Sequence, residues 1–331
     1  MTTTIADTGV VIGKFLPLHN GHLHLIRVAQ RLVERLFIVV CSLPDEPIPG
    51  ELRARWARRL CPEASVLHLD EVLPATPDEH VDFWPMWRLA LRRILPERPA
   101  VLFASEAYGT RLAAELGCRF RPVDIERIAV PVRGTDIRPD VYAHWRFLPP
   151  SVRAYYVKRV CVFGPESVGK TTLSERLAEH YRTVWAPEYA RAYLEHRGGE
   201  LVETDLFEIA AGQRALEESL AEQADKLLFM DTDTLTTELW ANRLYSRCDP
   251  RIAALALERP ADLYLLCDVD VPWIEDRVRY LPADRNDFFR VFEETLRQRS
   301  LPYTVIRGSW QERWDAALAA VGRPFGHLLR A

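Results

Sequence analysis

Gly164-Pro165-Glu166-Ser167-Val168-Gly169-Lys170-Thr171 reproduces the spacing G-x-x-x-x-G-K-T in full. The chemistry this spacing serves is phosphate binding. Its glycines let the backbone curl until N–H groups face phosphate oxygens, the lysine reaches the β- and γ-phosphates, and the hydroxyl after it can hold Mg2+. Gly164, Ser167, Gly169, Lys170, Thr171 and Thr172 are therefore the expected ATP contacts, with Thr171 at the metal. A glycine turn can match the bare pattern by chance. Here an apolar strand, Val160–Phe163, precedes it and an amphipathic helix follows, so a positive helix end also points at the phosphates. The apolar run Leu227–Met230 ends in Asp231, the Walker B arrangement, with Asp233 one side chain further along; Asp231 is the second expected metal ligand. Buried strands often end in a turn-forming aspartate, so this carboxylate takes its meaning from the P-loop. Glu188, in Trp185-Ala186-Pro187-Glu188-Tyr189-Ala190-Arg191, follows the second strand of this half, where a small-molecule kinase faces its acceptor. It reads as a base or hydroxyl anchor, and equally as a glutamate favoured by a helix start.

A second cluster lies near the amino terminus. Gly13-Lys14-Phe15-Leu16-Pro17-Leu18-His19-Asn20-Gly21-His22 places two histidines at i and i+3, after a strand and at the start of a helix. Most loop histidines are simply solvated. This pair matches the HxGH signature of nucleotidylyltransferases, in which histidines and a lysine answer the charge that builds on a triphosphate during in-line displacement. A metal site would need a third ligand, and none is evident. The late motif of that class, ISxTxIR, corresponds to Val132-Arg133-Gly134-Thr135-Asp136-Ile137-Arg138, with Thr135 and Arg138 present and Arg133 in place of the serine.

Both clusters need strand–loop–helix frames. In the first half the expected elements are strand 10–12, helix 21–33, strand 36–41, helix 52–60, strand 65–69, helix 84–95, strand 100–104 and a further strand 125–130. Phe147-Leu148-Pro149-Pro150 reads as a break. The second half expects strands 157–163, 183–186, 226–230, 263–267 and 303–306, alternating with helices 171–180, 206–224, 234–245, 287–299 and one from about Trp310. This alternation predicts α/β architecture with two parallel-sheet domains: a Rossmann-like nucleotidylyltransferase over 8–150 and a P-loop kinase over 157–331.

The 331 residues, 48% hydrophobic and 27% charged, exclude a disordered chain, and the net charge of -4 argues against bulk binding to nucleic acid or anionic membrane. No apolar run is long enough to span a membrane, and the amino terminus lacks the pattern of a secretory signal. Six cysteines without CxxC spacing predict free thiols and a cytoplasmic location.

The chain as a whole resembles the NadR-type bifunctional enzymes, which join a nicotinamide mononucleotide adenylyltransferase to a ribosylnicotinamide kinase. The resemblance is carried by His144-Trp145 through Pro149-Pro150, Val157–Val160 and Gly164–Ser167, by Glu188–Arg191 and Asp231–Asp233, and by Pro272-Trp273-Ile274-Glu275-Asp276. It implies phosphorylation of nicotinamide riboside by ATP, then joining of the mononucleotide to AMP from a second ATP, giving NAD and pyrophosphate. It implies that Lys14, His19, His22, Thr135 and Arg138 serve adenylyl transfer, with Gly13, Phe15 and Gly21 in the same nucleotide loop. Gly169, Lys170, Thr171, Glu188, Asp231 and Asp233 would serve phosphoryl transfer, and Arg279 would contact phosphates from a lid. Tyr189, Trp84 and Trp87 offer faces for a cationic nicotinamide ring, although core packing accounts equally well for the two tryptophans. The lid reads Asp276-Arg277-Val278-Arg279, where the family has glycine at the position of Arg277. The family's DNA-binding helix-turn-helix has no counterpart in the short segment before Val10, and a homo-oligomer is expected. Two rivals remain: a bifunctional coenzyme A synthase, whose first domain carries threonine at the position of His19, and a nucleotide sensor with decayed catalysis.

Overall fold

The computed structural model describes residues 4–272 and 284–330. The chain divides into two compact units, Met1–Val152 and Arg153–Ala331.

In the first unit β1 (Ala6–Gly13), β2 (Val33–Cys41), β3 (Ser65–Leu69), β4 (Val101–Ala104) and β5 (Arg119–Pro122) form one parallel sheet in the order β3-β2-β1-β4-β5. Central β1 pairs Val10 with Phe37 on one side and Leu102 on the other. Val10, Val11, Ile38 and Phe103 are almost wholly buried, as expected of strands covered on both faces. The connecting helices are α1 (Asn20–Leu32), α2 (Gly50–Leu60), α3 (Phe83–Ile94) and α4 (Gly109–Leu116), followed by the one-turn α5 (Gly134–Ile137). The chain first adds strands on one side of β1, then crosses to β4 on the other. That switch opens a crevice at the carboxyl end of β1, directly before Lys14.

The strand expected over 125–130 does not form. β5 lies earlier, at 119–122, and Asp124 explains why. Its carboxylate accepts N–H bonds from Ile128, Ala129 and Val130 at 2.8, 3.2 and 3.2 Å, and Asp124 and Arg127 both take positive φ. These amides are bound to a side chain rather than to a neighbouring strand, and Ile128 is 84% exposed.

In the second unit β6 (Lys158–Phe163), β7 (Trp185–Ala186), β8 (Leu227–Met230), β9 (Leu263–Cys267) and β10 (Tyr303–Ile306) form a parallel sheet in the order β10-β9-β6-β8-β7. Pro150 is not a plain break. It starts α6 (Pro150–Tyr156), a position where proline's missing N–H costs nothing. Arg259 donates to the carbonyls of Ala154 and Tyr155 at 3.1 and 3.3 Å, which satisfies the end of this helix. The remaining helices are α7 (Lys170–Tyr181), α8 (Tyr189–His196), α9 (Asp205–Ala221), α10 (Thr234–Tyr245), α11 (Pro250–Glu258), α12 (Arg285–Gln298) and α13 (Trp310–Phe325). α9 buries Gln213, Arg214 and Glu217 against β6 and β8. Glu217 meets Arg159 at 3.3 Å and Arg214 at 3.2 Å, and Arg214 also donates to the Arg259 carbonyl at 3.3 Å.

Candidate active sites

The loop leaving β1 delivers both histidines to the start of α1. His19 is the N-cap: its Nδ1 accepts the Gly21 N–H at 3.1 Å, and His22 Nδ1 accepts the His19 N–H at 3.3 Å. Two histidines thus perform the reciprocal capping usually made by serine and glutamate. In neutral rings bound this way, the proton sits on Nε2, leaving two N–H donors for a ligand. The rings stack 3.7 Å apart, and Phe15 meets His22 edge-on at 4.9 Å. Burial, then the charge of Arg127, pushes His19 down to about 4; burial, His19 and Arg127 hold His22 well below its ordinary value. Gly21 must be glycine here, because a Cβ would lie 2.9 Å from the His19 ring.

The late motif meets the histidine loop. Arg138 Nη1 donates to the Leu16 carbonyl at 3.2 Å, and a Cβ built on Gly134 would sit 3.5 Å from Arg138 Nη1 and 3.9 Å from His19 Nε2. Thr135 occupies the second position of α5, exposed. Arg133 replaces the expected serine at the start of α5, and its N–H is satisfied by the Asp136 carboxylate at 3.0 Å. Lys14 Nζ pairs with Glu46 at 3.0 Å. Glu46 also binds Arg53, a fully buried residue that donates to the carbonyls of Ile48 and Cys41 at 3.1 Å each and to that of Lys14. Trp84 and Trp87 are half-buried against the core of β1, β2, β4, α3 and α4; the Trp87 indole N–H donates to the Pro74 carbonyl at 2.9 Å, and Arg111 lies over Trp84 at 5.7 Å. Their surroundings are those of packing residues.

In the second unit the P-loop connects β6 to α7. Gly164, Ser167 and Gly169 all take positive φ. A Cβ on Gly164 would come 2.9 Å from the Cys267 carbonyl oxygen, and one on Gly169 would come 2.5 Å from the Trp310 ring. Lys170 Nζ donates to the Pro165 carbonyl at 2.8 Å, and Thr171 Oγ1 to Asp231 Oδ2 at 2.5 Å. Asp231 Oδ1 is buried with no partner among the described residues. Burial raises the Asp231 pKa, Glu188 adds to the rise, and Lys170 opposes it.

These groups open on a cleft of about 480 Å³. Residues 166–172, Glu188, Arg191, Asp231 and Gln213 line its polar side; Leu194, Leu201, Leu206 and Ile209 line its apolar side, and Trp240 and Trp310 are aromatic residues among the described lining. Two expected members stand elsewhere. Asp233 caps α10, accepting from Leu235 N and Thr236 N at 3.1 and 3.3 Å, and its other oxygen receives the Tyr264 hydroxyl at 2.7 Å. Both its oxygens are engaged, and it does not line the cleft. Tyr189 does not line the cleft either; its ring lies against Gly212 of α9, where a Cβ would come within 2.3 Å. Arg277 and Arg279, with the lid from Trp273, lie outside the described residues.

Arg53, Arg127, Gln213, Thr236 and Trp240 were not singled out from sequence. The available signal was periodicity. Gln213 and Glu217 are polar residues at i and i+4 on the buried face of α9, and Thr236 and Trp240 share a face of α10 just beyond Asp231.

Residues 10–139 match the cytidylyltransferase-like family and residues 159–313 match the AAA domain family. A trifunctional NAD biosynthesis/regulator protein NadR from Salmonella typhimurium is 28% identical over 91% of this chain and 79% of its own length. Its Escherichia coli counterpart is 28% identical over 93% and 80%. Among solved structures, a NadR protein in complex with NR superposes with a TM-score of 0.77 at 23% identity, covering 98% of this chain and 97% of that one. Another, in complex with NAD and AMP-PNP, gives 0.76 at 23% identity with 98% of both chains covered.

Proposed function

We propose that this chain, a NadR-type protein pairing a nucleotidyltransferase half with a P-loop kinase half, makes NAD in two ATP-dependent steps. The kinase half phosphorylates the 5′-hydroxyl of nicotinamide riboside, and the histidine half joins the resulting mononucleotide to the adenylyl group of a second ATP. The observation that carries this reading is the cleft, which gathers a phosphate loop, a carboxylate and an indole into one volume. A phosphate loop alone would suit any NTPase. Glu188 and Trp240 supply what a hydroxyl-bearing aromatic acceptor needs.

In the kinase half the P-loop N–H groups and Lys170 hold the β- and γ-phosphates. Glu188 accepts the proton of the acceptor hydroxyl as its oxygen attacks the γ-phosphorus. The bond from the γ-phosphorus to the bridging oxygen breaks, and ADP leaves. The residues fit Mg2+: Thr171 Oγ1 and Asp231 are hard oxygen donors, and Asp231 Oδ1 is buried without a partner among the described residues. Held by Thr171 and Asp231, a bound Mg2+ would supply positive charge to offset that of the phosphates. Trp240 offers its face to the cationic nicotinamide ring.

In the first half a phosphate oxygen of the mononucleotide attacks the α-phosphorus of ATP, and pyrophosphate departs. His19 and His22 donate Nε2–H bonds to the phosphates, and Arg138 and Lys14 add charge from α5 and the β1 loop. Arg133 adds a further cation to the site in place of the serine hydroxyl.

The test is product mass. The purified chain with ATP, Mg2+ and nicotinamide riboside should give the mononucleotide and then NAD. Formation of coenzyme A from its dephospho form, with no product from the riboside, would refute the assignment. ATP binding without turnover of either substrate would favour a sensor.

A further inference from the structure

The cleft wall at the end of β8 holds two hydroxyls that bond to none of the described residues. Thr232 and Thr236 are 4% and 5% exposed, both line the cleft, and neither Oγ1 has a partner among the described residues. A buried hydroxyl left unpaired is costly, so two of them in one cleft wall mark a place where something else supplies the bond.

The backbone beneath them is constrained. Thr232 has φ 136, a region that β-branched residues avoid. Its carbonyl accepts from Gln213 Nε2 at 3.4 Å, while Gln213 Oε1 takes the Tyr189 N–H at 2.9 Å and its Nε2 also reaches Glu217 at 3.2 Å. One buried amide therefore ties the segment after Glu188 to the segment after Asp231. The strained turn is held from below, as expected where strain serves a site.

Spacing supplies the ligand class. Thr236 and Trp240 lie at i and i+4 on α10, so they share a face with backbone positions about 6 Å apart along the helix axis. That separation suits a molecule carrying a hydroxyl-rich sugar beside a flat ring. Thr232 follows Asp231 at the end of β8, which pairs with β7, the strand that precedes Glu188.

We propose that the hydroxyls of Thr232 and Thr236 bind the vicinal 2′- and 3′-hydroxyls of the acceptor sugar and make the kinase selective for ribosides over deoxyribosides. The proposal rests on the riboside-kinase reading of this cleft. A site built to bond a hydroxyl rejects an analogue lacking it, because its own buried groups are then left unpaired.

The experiment uses the full chain with ATP and Mg2+ and compares nicotinamide riboside with its 2′-deoxy and 3′-deoxy analogues. The wild type should favour the riboside over at least one analogue by roughly 100-fold in kcat/KM. Thr236→Val and Thr232→Val keep the side-chain shape and remove a hydroxyl. Each should raise KM for the riboside and cut the preference to a few-fold, with KM for ATP unchanged as the control for folding. Thr236→Ser should keep the preference. An active wild type whose preference survives both valine variants would overturn the proposal. So would intact preference with an altered Mg2+ requirement, which would assign the hydroxyls to water on the cation. A wild type that phosphorylates no riboside would overturn both the proposal and the reading beneath it.

Discussion

The two sites are prepared for phosphate in opposite ways. In the first unit protein contacts orient the groups proposed to meet the ligand: each histidine Nδ1 accepts a backbone N–H and leaves its Nε2 free to donate, Lys14 pairs with Glu46, and Arg138 donates to the Leu16 carbonyl. In the second unit a buried carboxylate oxygen and two buried hydroxyls are left open, and the phosphate loop is wound through three residues at positive φ. In the first site burial keeps the two histidines neutral, beside the cations Lys14 and Arg138. In the proposed reaction a cation and a substrate would complete the bonding of the second. Preorganisation and deferred satisfaction are thus alternative solutions for the same ligand, and they should fail differently.

The largest expected effect separates the sites outright. Lys170→Ala should reduce riboside phosphorylation by roughly 1,000-fold or more and leave adenylylation of added mononucleotide within about two-fold, whereas His22→Ala should lower adenylylation by roughly 100–1,000-fold and spare the kinase. Steady-state assays with each half's own substrate give the answer, and loss of both activities in either variant would break the comparison. A smaller effect tests the deferred site. Gln213→Ala removes the tie between residues 189 and 232, so riboside turnover should fall by roughly 10-fold, the equivalent of about 1.4 kcal/mol. Nucleotide affinity, measured by ATP-analogue titration, should be unchanged; weakened nucleotide binding would mean the amide supports the P-loop instead.

The smallest effect is a titration. His19, held near a pKa of about 4, is depressed below the ordinary value of 6.5. The neutral ring therefore contributes stability that is present above 6.5 and is lost as pH falls towards about 4. In a pH series followed by NMR, the His19 ring should stay neutral to about pH 5, and the first unit should lose stability only in acid. Bound triphosphate should raise the transition, because nearby negative charge favours the imidazolium. A ring that titrates near 6.5 without nucleotide would mean the array is charged from the outset.

Much of this arrangement was legible in the sequence, because both motifs sit on a strand–loop–helix turn. Gly164 and Gly169 announce the loop whose φ values only glycine adopts easily, and the apolar runs 36–41 and 160–163 are long enough to declare buried strands. Side-chain assignments were less visible. Asp233 follows Asp231 at a spacing that suits a metal, yet the same spacing makes it the cap of α10. Ile125 and Ile128 look like strand residues until Asp124 captures the local amides. Tyr189 follows Glu188 in sequence, but its ring lies against Gly212 on α9. In each case the choice was made by a residue distant in sequence, or by a polar side chain competing with the backbone, and neither leaves a period to read.

The short helix at the start of the second half decides where the chain can be divided. A kinase fragment begun at Val157 would lack the Ala154 and Tyr155 carbonyls that receive Arg259. Arg259 carries Arg214 on its own carbonyl, Arg214 shares Glu217 with Gln213, and Gln213 holds Thr232. A truncation made outside the catalytic cleft would thus be felt at its floor, and an expression boundary drawn at or before Pro150 is the one that keeps the fragment's chemistry intact.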